Sequence, residues 1–220
     1  MSIEWLTCQP RHWPRYGDGN WLVMGRAAGK NCDGHSMRIK GMAAQVRETV
    51  ARPKKGIDYA LTEFAKKQCP GLIETYASKD IAWTNGDILT DAVVKGRMAL
   101  FSAWLLEHND RMAWIGPRHL ENLPRKIKGA YHLRMGKDCW KETDMVVDML
   151  RGWAHNLDVV LFASSFLTCC AVYALHAVFE GKWMIDVGSS MDPLCGAFSR
   201  AYHRPKKRGD GMTWPEVYGF

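Results

Sequence analysis

The chain predicts an α/β fold of Rossmann-like type: a mostly parallel sheet with helices on both faces, built as a single domain. Short apolar runs alternate with helical patterns from Met112 onward, and such alternation implies parallel strands joined by covering helices. The 220 residues are 47% hydrophobic, enough for one domain with a real core. No internal repeat divides the chain.

Apolar residues at Ile39, Met42, Ala43, Val46 and Val50 fall on one helical face, and Pro53-Lys54-Lys55-Gly56 ends that helix. A second, short helix is expected from Asp58, with Leu61, Phe64 and Ala65 on one face and a break at Pro70-Gly71. A longer third is expected from Asp87 towards Glu107, turning Ile88, Ala92, Leu100 and Trp104 inward. Met112-Ala113-Trp114-Ile115-Gly116 then reads as a strand, as does Ala130 to Met135. Glu142 to Trp153 is helical, with Met145, Val146, Met149, Leu150 and Trp153 apolar on one face. Leu157 to Ala163 is a β-rich run, Ser164-Ser165 a turn and N-cap signal, and Phe166 to Glu180 a helix stopped by Gly181. Lys182 to Gly188 supplies the last strand. The domain is expected to span residues 1–198, with 199–220 a basic tail centred on His203-Arg204-Pro205-Lys206-Lys207-Arg208-Gly209.

Val159 to Phe179 contains no Asp, Glu, Lys or Arg and is nearly long enough to cross a bilayer. A buried strand followed by a buried helix gives the same hydropathy, and a span here would cut the strand–helix alternation in two. No transmembrane segment is therefore expected. Met1-Ser2-Ile3-Glu4-Trp5 has neither the basic nor the apolar region of a secretory signal. Seven cysteines form an odd set with no C-x-x-C pair, which suggests neither a disulfide framework nor a zinc ribbon. A cytoplasmic location is the expectation. Lys and Arg number 30 against 23 Asp and Glu, a surplus of +7 that favours polyanionic partners such as nucleic acid, nucleotide phosphates or anionic lipid.

In open α/β sheets ligands bind at the carboxyl ends of the strands. That rule selects Pro117, Arg118 and His119 after Gly116, then Ser164 and Ser165, then Gly188, Ser189, Ser190 and Asp192. A helix N-terminus at Ser165 suits a phosphate; capping by both serines explains them equally well. The other cluster is Arg15-Tyr16-Gly17-Asp18-Gly19-Asn20-Trp21. Two glycines around one Asp let the backbone turn while the carboxylate stays accessible to a hard divalent cation. The same pattern is also ordinary turn chemistry.

Arg15 to Asn20 resembles the R-[FY]-G-D-G-E signature of the GT-D type glycosyltransferases. The C-terminal half is similar in layout: an acidic helix near Trp140-Lys141-Glu142, then Asp158 to Ala163, a helix, and Trp183-Met184-Ile185-Asp186-Val187-Gly188, which resembles the family's closing ALDIGH strand. The resemblance covers most of Arg15 to Phe198. It implies transfer of a sugar from a nucleotide-sugar donor, a UDP-sugar first among them, with Mn²⁺ or Mg²⁺ and positive side chains stabilising the leaving diphosphate. The family's D-x-E metal motif falls on Asp18-Gly19-Asn20. The donor is expected among Gly17, Gly19, Gly116, Ser164, Ser165, Asp186, Gly188, Ser189 and Ser190, with Arg15 as the positive charge. Asp186, Asp192 and His119 are the candidate bases for the acceptor's proton. Two departures stand out: Asn20 replaces a Glu, and Ser189 replaces the His that follows the final Gly. Each candidate base also has a plainer role, Asp186 capping a turn, Asp192 starting one before Pro193, and His119 lying on the surface.

Trp183 to Ser190 is also similar to the glycine-rich first strand and turn of methyltransferases, but only about thirty residues follow, too few for such a domain. A nucleic-acid-binding module without catalytic activity is the other reading, supported by the basic tail and ten tryptophans. Most of those tryptophans, including Trp104, Trp114, Trp153 and Trp183, fall in core elements. The tail makes a polyanionic acceptor the expectation, with a modified DNA base the leading candidate and a cell-surface glycan or its lipid-linked precursor the rival; a solvated or membrane-surface tail explains the charge at least as well.

Overall fold

The computed structural model describes residues 1–27, 36, 37, 39–136, 138–203 and 211–220. Along the chain come α1 (Ile3–Thr7), β1 (His12–Trp13), β2 (Arg15–Tyr16), α2 (Asp18–Met24), α3 (Met42–Ala51), β3 (Ala60–Leu61), α4 (Glu63–Gln68) and α5 (Pro70–Tyr76). Next are β4 (Thr84–Asn85), α6 (Ile88–Val94), α7 (Ala99–His108), β5 (Met112–Gly116) and β6 (Tyr131–Arg134). The C-terminal part adds α8 (Thr143–Trp153), β7 (Val159–Phe162), α9 (Phe166–Leu175), β8 (Trp183–Asp186) and α10 (Trp214–Val217).

Five strands form the main sheet in the order β1-β8-β7-β5-β6, and every pair is parallel. Successive side chains in a strand point to opposite faces, and both faces are buried. Ala113, Ile115, Val160 and Phe162 enter a core shared with α3, α8 and α9. Met112, Trp114, Val159 and Leu161 enter the other, shared with α1, α6, α7 and α10. Burial on both faces is why these strands read as continuous apolar runs. The expected α/β, Rossmann-like class is what the chain adopts.

Pro14 divides the first strand between two sheets. β1 pairs with β8, whereas β2 pairs with β3, which pairs with β4, all parallel. Proline offers no N–H to a ladder, but its carbonyl still accepts from Ala60 N at 3.0 Å. The side chains diverge accordingly: Trp13 is buried in the α1–α7 core and Tyr16 in the α3–α9 core.

Several local expectations change. Leu61 lies in β3, so the helix expected from Asp58 begins only at Glu63; Phe64 is 58% exposed on it. The expected break at Pro70-Gly71 is present, since α4 ends at Gln68, but Pro70 also opens a further helix, α5, where a missing N–H is harmless. The helix expected across Asp87–Glu107 is two helices, α6 and α7, separated at Gly96 with φ +66°, and Leu100 is exposed. Met145 likewise faces outward on α8 while Val147 is buried. The helix after Ser165 closes at Leu175, and no helix among the described residues is long and apolar enough to cross a membrane.

Of the segment expected as a basic tail, residues 204–210, with Arg204, Lys206, Lys207 and Arg208, lie outside the described residues. Within the last ten residues, α10 anchors the chain to the core. Trp214, Val217 and Tyr218 are buried, Val217 O accepts from Met98 N at 3.1 Å, and the Tyr218 hydroxyl donates to Ser190 O.

Candidate active site

Chain direction reverses around β5. From β5 the chain goes to β6 on one side, then crosses to build β7 and β8 on the other, where β8 pairs with the earlier β1. Loops leaving the carboxyl ends diverge at such a switch point and leave a crevice. A cleft of about 830 Å³ lies there. Pro117 and His119 line it after β5, Ala163 to Phe166 after β7, and Asp186, Gly188 and Ser189 after β8. Because β1 is the neighbour of β8, the segment just beyond β1 brings Arg15 and Gly17 to Asn20 to the same opening.

The cleft thus gathers Arg15, Gly17, Asp18, Gly19, Asn20, His119, Ser164, Ser165, Asp186, Gly188, Ser189 and Asp192. Gly116 and Ser190 do not line it. A Cβ on Gly116 would stand 2.8 Å from Leu120 Cδ1 and 3.0 Å from Ala163 Cβ, so this glycine serves the close approach of two loops. Ser190 is buried, and its carbonyl anchors Tyr218.

Arg15 and Gly188 define each other's position. Gly188 has φ +51°, and a Cβ there would overlap the Arg15 guanidinium. Arg15 Nη1 also reaches Thr90 Oγ1 at 3.4 Å. Asp186 Oδ1 accepts from Gly188 N at 2.9 Å and so holds the turn that makes room for the arginine. The carboxylate of Asp186 is 5% exposed, consistent with its turn-capping role.

Gly17-Asp18-Gly19 is not an isolated turn but the start of α2. Gly17 is the N-cap, and Asn20 closes the helix end by accepting from Gly17 N at 3.2 Å through Oδ1. The Asn20 Nδ2 donates to Cys169 Sγ at 3.4 Å, and Cys169 Sγ donates to Arg15 O at 3.5 Å. Burial, with the Asp186 charge adding to it, pushes the Cys169 thiol well above its ordinary pKa, so it stays a neutral thiol. Asn20 is 7% exposed and its carboxamide is committed inside the fold at both ends. Asp18, half-buried on the first turn of α2, is the side chain of this motif with a carboxylate towards the cleft. Among the described residues no group of three or more His, Cys, Asp and Glu is spaced to hold a metal ion. Asp18 fits a cation that a diphosphate helps to bind, whereas Asn20 does not fit the role of second ligand.

The turn before α9 is strained. Ser165 has φ +52° and ψ −126°, a conformation that costs a non-glycine residue about 1–3 kcal/mol and recurs at functional sites. Its side chain makes no capping bond to the helix. Ser164 Oγ pairs with Thr168 Oγ1 at 3.2 Å, and Ser164 O accepts from Cys139 Sγ at 3.2 Å, which fixes this serine as a support of the turn.

On the opposite side His119 Nε2 lies 2.8 Å from Asp192 Oδ1, and Ser199 Oγ donates to Asp192 Oδ2. Ser189 Oγ and Tyr202 Oη are 3.1 Å apart. Behind Asp192 sits His203, fully buried; burial lowers its pKa to about 4 against the opposing pull of Asp192.

Three groups of lining residues escaped the sequence reading, one of them Met135, Gly136 and Cys139 beyond β6. Thr62, Phe64, Asp87 and Thr90 come from the ends of β3 and β4 and the helices that follow. Ser199, Arg200 and Tyr202 come from the segment expected as a tail. Thr62 did carry a usable signal, since Thr-Glu before an apolar position marks an N-cap, and its hydroxyl accepts from Ala65 N at 3.2 Å.

No protein-family model matches the chain, and no curated protein matches its sequence. A solved structure of the highly conserved domain of unknown function 1792, described as having a distinct glycosyltransferase fold, is similar in three dimensions. The TM-score is 0.54 at 12% identity, over 83% of this chain and 73% of that one. This likeness shows a glycosyltransferase-like fold.

Proposed function

We propose that the chain is a glycosyltransferase that takes a sugar from a nucleoside diphosphate donor, UDP-sugars being the first to try, and passes it to a hydroxyl at the mouth of the cleft. The observation that carries this reading is the meeting, at the sheet's switch point, of Arg15, the N-terminus of α9 and the carboxylate of Asp18. Diphosphate binding needs positive potential without bulk. The dipole of the ten-residue α9 supplies part of it at Ser165, and Arg15, held against Gly188, supplies a full charge. Charge growing on the leaving diphosphate is stabilised most by groups already oriented before the reaction. A bound Mn²⁺ or Mg²⁺ would neutralise further phosphate charge, with Asp18 as its protein ligand.

The cleft favours a glycan hydroxyl over a modified DNA base as acceptor. Among the described residues Asp18, Asp87, Asp186 and Asp192 line it against Arg15 and Arg200, and that lining is no basic groove. The exposed ring of Phe64 stands at its edge, and an aromatic face suits the apolar face of a sugar. Phosphates of DNA would meet carboxylates there.

The test is a screen of nucleotide sugars for hydrolysis and for thermal stabilisation, with and without Mn²⁺. Saturable stabilisation by one nucleoside diphosphate and release of its sugar are expected. Binding to duplex DNA with no response to any nucleotide would replace this reading by the nucleic-acid-binding module.

A further inference from the structure

The three carboxylate and imidazole candidates for the acceptor's base differ in what already occupies them. Asp186 caps the turn at Gly188. Asp192 is 4% exposed, with one oxygen on His119 and the other on Ser199. All three line the cleft, but His119 is the most open there, its side chain 30% exposed where Asp186 and Asp192 are 5% and 4%. A carboxylate can only accept, so the Nε2 that meets Asp192 carries the proton and Nδ1 carries the lone pair. Both partners sit on short turns fixed by the fold. His119 belongs to the 3₁₀ turn Arg118–Asn122 after β5, and Asp192 opens the turn Asp192–Cys195, with its N–H on Ser189 O at 3.1 Å and its carbonyl accepting from Ala197 N at 2.9 Å.

We propose that His119 is the general base of the transfer and Asp192 the residue that positions it, an assignment that rests on the glycosyltransferase reading. The acceptor hydroxyl gives its proton to His119 Nδ1 as its oxygen bonds to the anomeric carbon. The bond from that carbon to the diphosphate oxygen breaks, and its electron pair leaves with the nucleoside diphosphate. The imidazolium formed is stabilised by Asp192 and passes its proton to water. A base oriented by a buried carboxylate is a recurrent catalytic arrangement, and a single displacement of this kind inverts the anomeric centre. The charged and titratable neighbours are Arg118 and Glu121 on the same turn, and Arg200 and His203 beside Asp192. Glu121 is paired with Arg134. His203 remains neutral above about pH 4 and so does not compete for Asp192 as a cation.

The experiment uses the full chain with UDP-glucose, UDP-galactose and UDP-N-acetylglucosamine, with water and p-nitrophenyl glycosides as acceptors. His119→Gln is expected to lower kcat by about 10²–10⁴-fold while donor Kd stays within about twofold. Added imidazole should restore part of the turnover of His119→Ala. Asp192→Asn should lower kcat by about 10–100-fold with a smaller change in KM. Because Asp192 is buried, that variant can lose its fold, and the imidazole rescue then decides the matter alone. A His119→Gln enzyme within about threefold of the wild type, or a product of retained configuration, overturns the base while leaving the transferase reading in place. A wild-type chain inert towards every donor overturns both.

Discussion

The wall of the cleft built on β5, β7 and β8 and the wall built on β2, β3 and β4 are held in different ways. In the first, strands of four or five residues are buried on both faces, and β5, β7 and β8 each have a strand on either side. In the second, each strand is two residues long, and the loops are fixed by single bonds such as Asp87 Oδ2 to Glu63 N at 2.8 Å. Precise placement of reacting groups needs rigid support, and His119, Asp192, Ser165 and Gly188 all leave the first wall. Damage to the first wall should therefore appear in turnover, and damage to the second mainly in binding.

The largest effect is expected where the walls touch. In Gly188→Val the new side chain meets the Arg15 guanidinium, and a β-branched residue is forced to φ +51°. Turnover should fall by roughly a thousandfold, about 4 kcal/mol in the barrier, and steady-state kinetics on a folded variant checks it. Loss below about tenfold would mean that Arg15 does not act from this position. Asn20→Glu comes next. It places a carboxylate beside the Cys169 thiol at a buried site and removes the amide donor. Unfolding should become easier by about 2–4 kcal/mol, measured by denaturant titration, and tighter metal binding is not expected.

These two residues also mark what the sequence could and could not convey. Four of the five strands of the main sheet, β5 to β8, were legible from their apolar runs; the two-residue β1 was not. β2, β3 and β4 were not, since two residues carry no period and their pairing depends on Pro14 releasing the chain to a second sheet. Gly188 and Asp192 were legible through the carboxyl-end rule, which needs only the order of elements, whereas Gly17, Asp18 and Gly19 were legible through their turn chemistry and the family resemblance, and Asp87 was missed. Phe64 was misread because a helical face was drawn through Leu61, which is in a strand. Arg200 and Tyr202 were hidden by their basic surroundings. Asn20 was legible as part of a motif but not as a cap, because its partners Gly17 N and Cys169 are named only by the folded chain.

Asp18→Ala tests the second wall at the carboxylate proposed to serve the donor's diphosphate. The residue is half-buried and lies outside both apolar cores, so thermal unfolding should change by no more than about 0.5 kcal/mol. Donor kcat/KM should drop by about a hundredfold, or 2.7 kcal/mol, carried mainly by weaker donor binding. Full turnover in a folded variant would remove Asp18 from the site.

The pH dependence of stability probes the support behind Asp192. His203 has a pKa of about 4 when folded against an ordinary imidazole value of 6.5. Between those values the unfolded chain binds the proton first. The stability from keeping this ring neutral is therefore complete above about pH 6.5 and is lost as pH falls to about 4. His203→Gln should flatten that slope by about 3 kcal/mol across the window. Thermal melts from pH 4 to 7 measure it, and an unchanged slope would mean that another group sets it.

Phe64→Ala should have the smallest effect and the sharpest meaning. The ring is 58% exposed on a six-residue helix, so removing it costs the core nothing and unfolding should stay within about 0.5 kcal/mol of wild type. Donor affinity should also be unchanged, since Arg15 and the α9 terminus lie on other elements. If the ring receives a sugar acceptor, its loss raises the acceptor KM by about threefold to tenfold, 0.7–1.4 kcal/mol, with kcat little altered. Binding without positioning has that signature, because an interaction equally strong in the ground and transition states moves KM alone. A fall in kcat at unchanged KM would show instead that the short-strand wall positions the reacting groups, and the division between the two walls would fail. No change in either constant would place the acceptor elsewhere along the cleft, nearer Arg200 and Tyr202, whose variants would then be the ones to move KM.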